Sequence, residues 1–285
     1  MFEDGLIGVS VLAFVLALAA CATPTGSPGS TVAAPTSTTP STTASTTTSP
    51  PTSTITSVVP TTTTAPALPL AGRVIVIDPG HNGRNWAHPD EINRQVDIGT
   101  GTKACNTTGT AGGDYAEATF TWELAQKTVP LLESAGAIVV LTRHNNDGWG
   151  PCVDQRARIG NEANADAVIA IHADGGPADG RGFHVIHPAP LDGLTDDIYD
   201  ESLRLATALR SAFLATGMPI ADYIARDGFS ERGDLGGLNL SDVPAVFLEA
   251  GNMRNTDDLA LLRSDSFQEE AARSIVTALV DFLSA

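Results

Sequence analysis

Val74-Ile75-Val76-Ile77-Asp78-Pro79-Gly80-His81-Asn82-Gly83 is the stretch whose reading decides the fold. Four β-branched apolar residues, stopped by Asp-Pro-Gly, predict a buried strand that ends in a sharp turn. In an α/β sheet, ligands bind outside the carboxyl ends of the strands. A histidine there is rigidly presented and faces open space, which suits a metal ligand or a general base; an ordinary loop histidine is the bland alternative. The pattern recurs downstream. Ala167 to Ile171 is an apolar run that ends in His172, with Gly175 soon after, and Ala245-Val246-Phe247-Leu248 ends in Glu249 and then Gly251. Three strands, each delivering a metal- or proton-competent side chain at its exit, are hard to assign to core packing alone.

Outward from these strands, helical and strand patterns alternate. Gly112 to Glu117 opens a helix running to about Ser134, buried through Leu124, Val129, Leu131 and Leu132 and ended by Gly136. Ile138 to Arg143 reads as a strand, 154–164 as a helix, Gly182 to His187 as a strand, Asp196 to Thr216 as a helix, and 256–264 and 266–283 as helices, the last with a Ser266/Glu269 capping box. Strands alternating with helices predict a single α/β domain: a mainly parallel twisted sheet flanked by helices, with its site at the carboxyl ends of the strands. Arg84 to Gly113 shows neither periodicity, and a loop of that length is functional or stapled. It contains Cys105, and Cys152 lies in another loop; in an exported domain this pair predicts a disulfide.

The segment before the domain supports export. Residues 6–20 are apolar over the length of a signal-peptide core, too short for a membrane span. They run into Leu18-Ala19-Ala20-Cys21, a lipobox-like end that predicts lipidation of Cys21 and an N-terminal lipid anchor, although Met1-Phe2-Glu3-Asp4 is acidic where signal peptides are basic. Residues 21–70, rich in Thr, Ser, Pro and Ala, have nothing to bury and read as a disordered, glycosylatable tether. The organisation is therefore a signal peptide at 1–20, a linker at 21–70 and a catalytic domain at 71–285, exported to the cell envelope. Of 33 acidic residues only Glu3 and Asp4 precede the domain, leaving 31 against 16 basic ones. That surface repels phosphate backbones and excludes nucleic acid as a partner.

Two histidines and one carboxylate make an open zinc site that keeps a position for water, and a second carboxylate nearby can act as its base. His81 and His172 are the histidines and one zinc per domain is the expected cofactor. Glu117 is the candidate third ligand, with a competing role: Asp114-Tyr115-Ala116-Glu117 also fits a capping box. Glu123 points to another side of the helix. Arg143 and Arg156 are candidate clamps for a substrate carboxylate, or else members of buried ion pairs with Asp166 or Asp154. Glu249 is the candidate base, or a structural carboxylate paired with Arg254. His184 and His187, three apart on a strand, fall on opposite faces as surface or filler residues, and His88 and His144 are loop histidines without partners.

Asp78-Pro79-Gly80-His81-Asn82-Gly83, Glu117, Leu141-Thr142-Arg143, Arg156 before Ala165-Asp166, Ile171-His172-Ala173 and Pro244 to Glu249, in that order, resemble the zinc-dependent N-acetylmuramoyl-L-alanine amidases of the third amidase family. The resemblance spans roughly Arg73 to Leu283. It implies a peptidoglycan hydrolase that cleaves the amide between N-acetylmuramic acid and L-alanine of the stem peptide. By the same likeness His81, Glu117 and His172 are the zinc ligands and Glu249 the catalytic glutamate. The sequence departs from the family in its long Arg84–Gly113 stretch, in Asp174 two residues after His172, and in Ala250-Gly251-Asn252-Met253 after Glu249; these line the site and bear on stem preference. The rival readings are another zinc amidohydrolase or carboxypeptidase acting on stem peptides, and a non-catalytic envelope-binding lipoprotein.

Overall fold

The computed structural model of the chain describes residues 67–284. The expected signal peptide, the expected lipobox at Cys21 and nearly all of the expected tether lie outside the described residues. Six strands form one sheet: β1 (Val74–Pro79), β2 (Ile138–Leu141), β3 (Ala167–Asp174), β4 (His184–Pro188), β5 (Phe229–Arg232) and β6 (Ala245–Asn252). Their spatial order is β2-β1-β3-β6-β4-β5, and all neighbours are parallel except β4 against β6. Among the described residues, five helices of seven residues or more accompany them: α1 (Glu117–Ser134), α2 (Val153–Glu162), α3 (Tyr199–Phe213), α4 (Thr256–Leu262) and α5 (Asp265–Ser284). The mainly parallel α/β expectation holds. β5 escapes sequence reading because Phe229-Ser230-Glu231-Arg232 is a short edge strand with a single apolar residue.

The strand alternation sorts the sheet into two unequal faces. Ile75, Ile77, Ile169, Ile171, Val246 and Leu248 point to the larger core, where Phe120, Leu124, Leu205, Leu209, Ile275 and Leu279 bring in α1, α3 and α5. Burying each such side chain contributes roughly 1.5–3 kcal/mol. Val76, Val168, Ala245 and Ile186 point the other way, into a thinner layer closed by Leu238 and helix α2. Asp78, His172 and Glu249 have the parity of this thinner face, so the chemistry sits where the helical cover stops short of the strand ends.

Two local expectations change. Arg84 to Gly113 is built from pieces of two to four residues: helical turns at Asn85–Ala87 and Pro89–Ile92, a hairpin of Gln95–Asp97 with Thr102–Ala104, and Ala111–Gly112 paired with Tyr115–Ala116. Elements this short carry no readable period. Asp265 is already helical, so Ser266 lies inside α5; its hydroxyl meets that of Ser264 at 2.8 Å while Glu269 turns to Arg273 at 3.9 Å. The sulfurs of Cys105 and Cys152 are bonded, across a sequence separation of 47, with both residues buried.

Candidate metal centre

His81 leaves β1 on a turn that is strained and tightly fitted. Its φ is +58°, a left-handed value that costs a side-chain-bearing residue about 1–2 kcal/mol. Gly80 before it has the His172 ring against its Cα, so that any Cβ there would stand 2.3 Å from the ring. His81 Nδ1 donates to the carbonyl of Thr107 at 3.0 Å, since a carbonyl can only accept. That bond sets the tautomer and leaves Nε2 free as a donor atom for a metal. Thr107 is itself held: Asn85 Nδ2 donates to the same carbonyl at 2.7 Å, Thr107 N donates to Asn106 Oδ1 at 2.7 Å, and Asn106 Nδ2 donates to Pro151 O at 2.7 Å. The Cys105–Cys152 bond ties the same segment one residue earlier.

Glu117 is the first residue of α1, with extended Ala116 at the cap position and no side-chain cap. The capping box is therefore absent; Asp114 instead meets Arg263. Glu117 Oε1 lies 3.1 Å from His81 Nε2 and 2.8 Å from His172 Nδ1, and Oε2 accepts from Thr110 N at 2.9 Å. The three ligand atoms stand within 4.8 Å of one another. Burial would raise the Glu117 carboxyl, but the two histidines outweigh it and hold it well below the usual carboxylate range. Burial also pushes the His172 imidazole down, toward the neutral form that ligates. An ionised carboxylate, two imidazoles and, among the described residues, no fourth protein ligand fit a zinc ion with an open position. Glu123 is elsewhere, hydrogen-bonded by Tyr115.

Glu249 on β6 is in register with His172 on β3 and with His184 on β4, so the three side chains project from one face of neighbouring strands. Glu249 Oε2 is buried without a hydrogen-bond partner. Burial, then the charges of Glu117 and Asp174, push its pKa well above the ordinary carboxylate value. Among the described residues Glu249 makes no ion pair, so the pairing with Arg254 is not formed. A half-buried carboxylate with one unpartnered oxygen beside the ligand cluster has the chemistry to accept a proton there.

Arg143 lies beneath the site, and Arg156 reaches the wall of a cleft beside it with its guanidinium already committed. Arg156 pairs with Asp78, and donates to Pro79 O at 2.9 Å, His81 O at 2.7 Å and Pro151 O at 3.1 Å. Arg143 donates to Pro79 O at 2.8 Å and Ala118 O at 2.9 Å. Both are buried, at 6% and 4% exposure. For Arg156 the ion-pair alternative is right in kind and wrong in partner, whereas Arg143 makes no ion pair among the described residues; Asp166 binds Arg73 at 2.8 Å. The clamp role for the two arginines finds no free guanidinium to perform it. His184 and His187 are both buried, which removes the surface reading, and His88 stacks on Trp149 with ring centroids 5.6 Å apart. Asp78 and Thr107 were not singled out in the sequence. The Asp-Pro-Gly turn hinted at the first; nothing local marks the second.

Two clefts meet at the cluster. One, about 430 Å³, is polar and runs past Thr110, Asp174, Gly175, Arg232, Glu249 and Arg254. The other, about 290 Å³, is mostly apolar, lined by Ala104, Val153, Leu235, Gly236 and Phe247, with Asp78, Lys103 and Arg156 also in its wall. His81, His172 and Phe247 border both, and the His172 ring stacks on Phe247 at 5.1 Å.

The sequence profile of the N-acetylmuramoyl-L-alanine amidase family matches residues 75–281. The N-acetylmuramoyl-L-alanine amidase Rv3717 of Mycobacterium tuberculosis is 42% identical over 226 residues, covering 78% of this chain and 91% of that protein. Among solved structures, the N-acetylmuramyl-L-alanine amidase Ami1 of Mycobacterium abscessus is 43% identical with a TM-score of 0.70, covering 75% of this chain and 99% of its own. Ami1 of Mycobacterium smegmatis is 40% identical with a TM-score of 0.71, covering 75% and 98%.

Proposed function

The chain belongs to the N-acetylmuramoyl-L-alanine amidase family and is a peptidoglycan amidase; from that premise we propose that His81, Glu117 and His172 hold one zinc ion and that Glu249 is the general base and acid. The observation that carries this reading is the convergence of the three ligand atoms within 4.8 Å, with Glu249 in register beside His172. A zinc ion held there supplies Lewis acidity and lowers the pKa of a water in its open position. Glu249, unpaired and half-buried, takes a proton and returns it to the leaving amine nitrogen, so no covalent intermediate on the protein is required. The Thr107 carbonyl keeps His81 in one tautomer, and the Arg156–Asp78 pair holds the turn that presents it. Phe247 packs on His172 and keeps solvent from its face.

The protein acts at the cell envelope. We further propose that the segment before the domain exports it and that lipid on Cys21 tethers it to a membrane, residues 21–70 serving as the spacer. Among the described residues no helix is long and apolar enough to cross a membrane, so attachment in this reading rests on Cys21 alone.

The decisive experiment digests purified muropeptides with residues 67–285 and identifies the new termini by mass spectrometry. A free lactyl carboxyl and a free L-alanine amine support the assignment; cleavage within the stem peptide overturns it in favour of a peptidase. In parallel, Glu249→Gln retains zinc and loses about two to four orders of magnitude in turnover, the usual weight of general acid–base catalysis. Normal turnover with full zinc removes Glu249 from the mechanism.

A further inference from the structure

The polar cleft contains two arginines in different states. Arg232 is held by Asp234 at 2.6 and 2.8 Å. The Arg254 side chain makes no hydrogen bond or ion pair among the described residues, although the domain has 31 acidic residues against 16 basic ones. Three nearby acids are already engaged, and Glu249, which lines the same cleft, makes no contact with Arg254. Asp257 and Asp258 take Arg181 at 3.2 and 3.1 Å, and Asp174 accepts from Tyr223 Oη at 3.0 Å. The Arg254 main chain is nevertheless fixed. Its N–H donates to Asn252 Oδ1 at 3.0 Å, and Asn252, fully buried, is locked by bonds to Pro177 O at 2.7 Å and Gly180 O at 2.8 Å. Arg254 Nε lies beside Gly175, where a Cβ would make ordinary contact with it at 3.4 Å; the close approach at Gly175 is that of Thr110 Oγ1, 2.6 Å from such a Cβ.

Arg254 is exposed to the cleft, and an uncommitted guanidinium on a fixed main chain beside the reacting centre offers a carboxylate two parallel donors. The chemistry of the substrate says which side of the scissile bond carries that carboxylate. The lactyl carboxyl of muramic acid is consumed in the amide, and the N-acetylated sugars are neutral, so the substrate's remaining carboxylates lie on the peptide. We propose that Arg254 forms a carboxylate subsite for the stem peptide, which places the peptide in the polar cleft and the glycan in the second cleft, beside Ala104, Val153 and Gly236. This rests on the amidase reading above and adds to it a direction for the substrate and a residue that selects among stems by their amidation.

The test pairs muramoyl-peptides that differ only in one group: the carboxylate of the second stem residue free or amidated, and separately that of the third. For the pair that matters, Arg254→Ala raises KM on the free acid roughly 10- to 100-fold, as loss of a charge-assisted bidentate contact does. It leaves kcat, zinc content and KM on the amide unchanged, and Arg254→Lys recovers part of the loss. The same discrimination appears in the Kd of the released peptide measured by calorimetry, without turnover. Equal effects of Arg254→Ala on acid and amide in both pairs, or wild-type protein that binds acid and amide alike, overturn the subsite. Binding discrimination without cleavage at the lactyl amide refutes the amidase reading and leaves the subsite standing.

Discussion

Replacing Arg156 with methionine should undo the turn that presents His81. The guanidinium, 6% exposed, pairs with Asp78 and donates to the carbonyls of Pro79, His81 and Pro151 at 2.9, 2.7 and 3.1 Å. Methionine keeps the volume of the stem and abandons all of these, leaving Asp78 a buried, uncompensated charge. Breaking one side of a buried ion pair costs about 3–5 kcal/mol. In a domain of this size each kcal/mol moves Tm by about 2–4 °C, so a fall of roughly 6–20 °C follows. The His81 carbonyl also loses its donor, which releases the left-handed turn at φ +58°. Relaxation of about 1–2 kcal/mol of backbone strain weakens zinc binding by roughly 5- to 30-fold. Thermal denaturation in chelator, then zinc titration of the folded variant, reads both quantities. Asp78→Asn in the same background should restore part of the stability, because it removes the stranded charge.

The pH dependence has a defined sign. Burial would raise the Asp78 carboxyl, but Arg156 and Thr142 outweigh it and hold it below its ordinary value. A depressed carboxyl contributes stability that is present above the unfolded pKa and is lost as pH falls through the folded one. Without Arg156, burial is opposed only by the Thr142 hydroxyl and His172 and the charged carboxyl loses its main partner, so the deficit of Arg156→Met is largest at neutral pH and shrinks in acid. A variant with wild-type Tm and zinc affinity but a raised KM would refute this reasoning and return Arg156 to the role of substrate clamp.

For Glu249 the sign is opposite: its raised carboxyl makes wild-type protein lose stability as pH climbs from the ordinary carboxylate value through the folded one. In chelator, Glu249→Gln should therefore match wild type in acid and equal or exceed it at neutral pH by urea titration; a less stable variant at neutral pH makes the carboxylate structural. Cys105→Ser with Cys152→Ser opens a loop of separation 47 and should cost up to about 4 kcal/mol. It should also lower zinc affinity through the freed Thr107 carbonyl, and free thiols in protein made in an oxidising compartment count against the bond. His172→Ala should reduce zinc content by metal analysis, and unchanged content removes it from the ligand set. Cys21→Ala should move the protein out of the membrane fraction and lower its mature mass by the lipid.

The alternation of strands and helices, the parallel sheet and the strand exits at His81, His172 and Glu249 were legible in the sequence, because each depends on residues adjacent in the chain. Apolar runs and the glycines after them state locally where a strand ends, and a strand end is where a parallel sheet presents a side chain. Glu117 was legible only as an ambiguity. Its four-residue context fits a cap as well as a ligand, and the choice fell to Thr110 N–H and two imidazoles from β1 and β3, none of them neighbours in sequence. The partners of Arg143 and Arg156 were likewise undecided, since a guanidinium's acceptors are backbone carbonyls at turns that only the packed sheet brings within 3 Å. Arg254 reads in sequence as a natural partner for Glu249. Tertiary structure separated them: Asn252 locks the chain after β6 and sets Arg254 beside Gly175, while Glu249 stays on the strand beside His172. Local patterning determined which side chains reach the rim of the sheet. Which of them touch was decided by strand register and by loops held from a distance, through contacts that have no local period for a sequence to display.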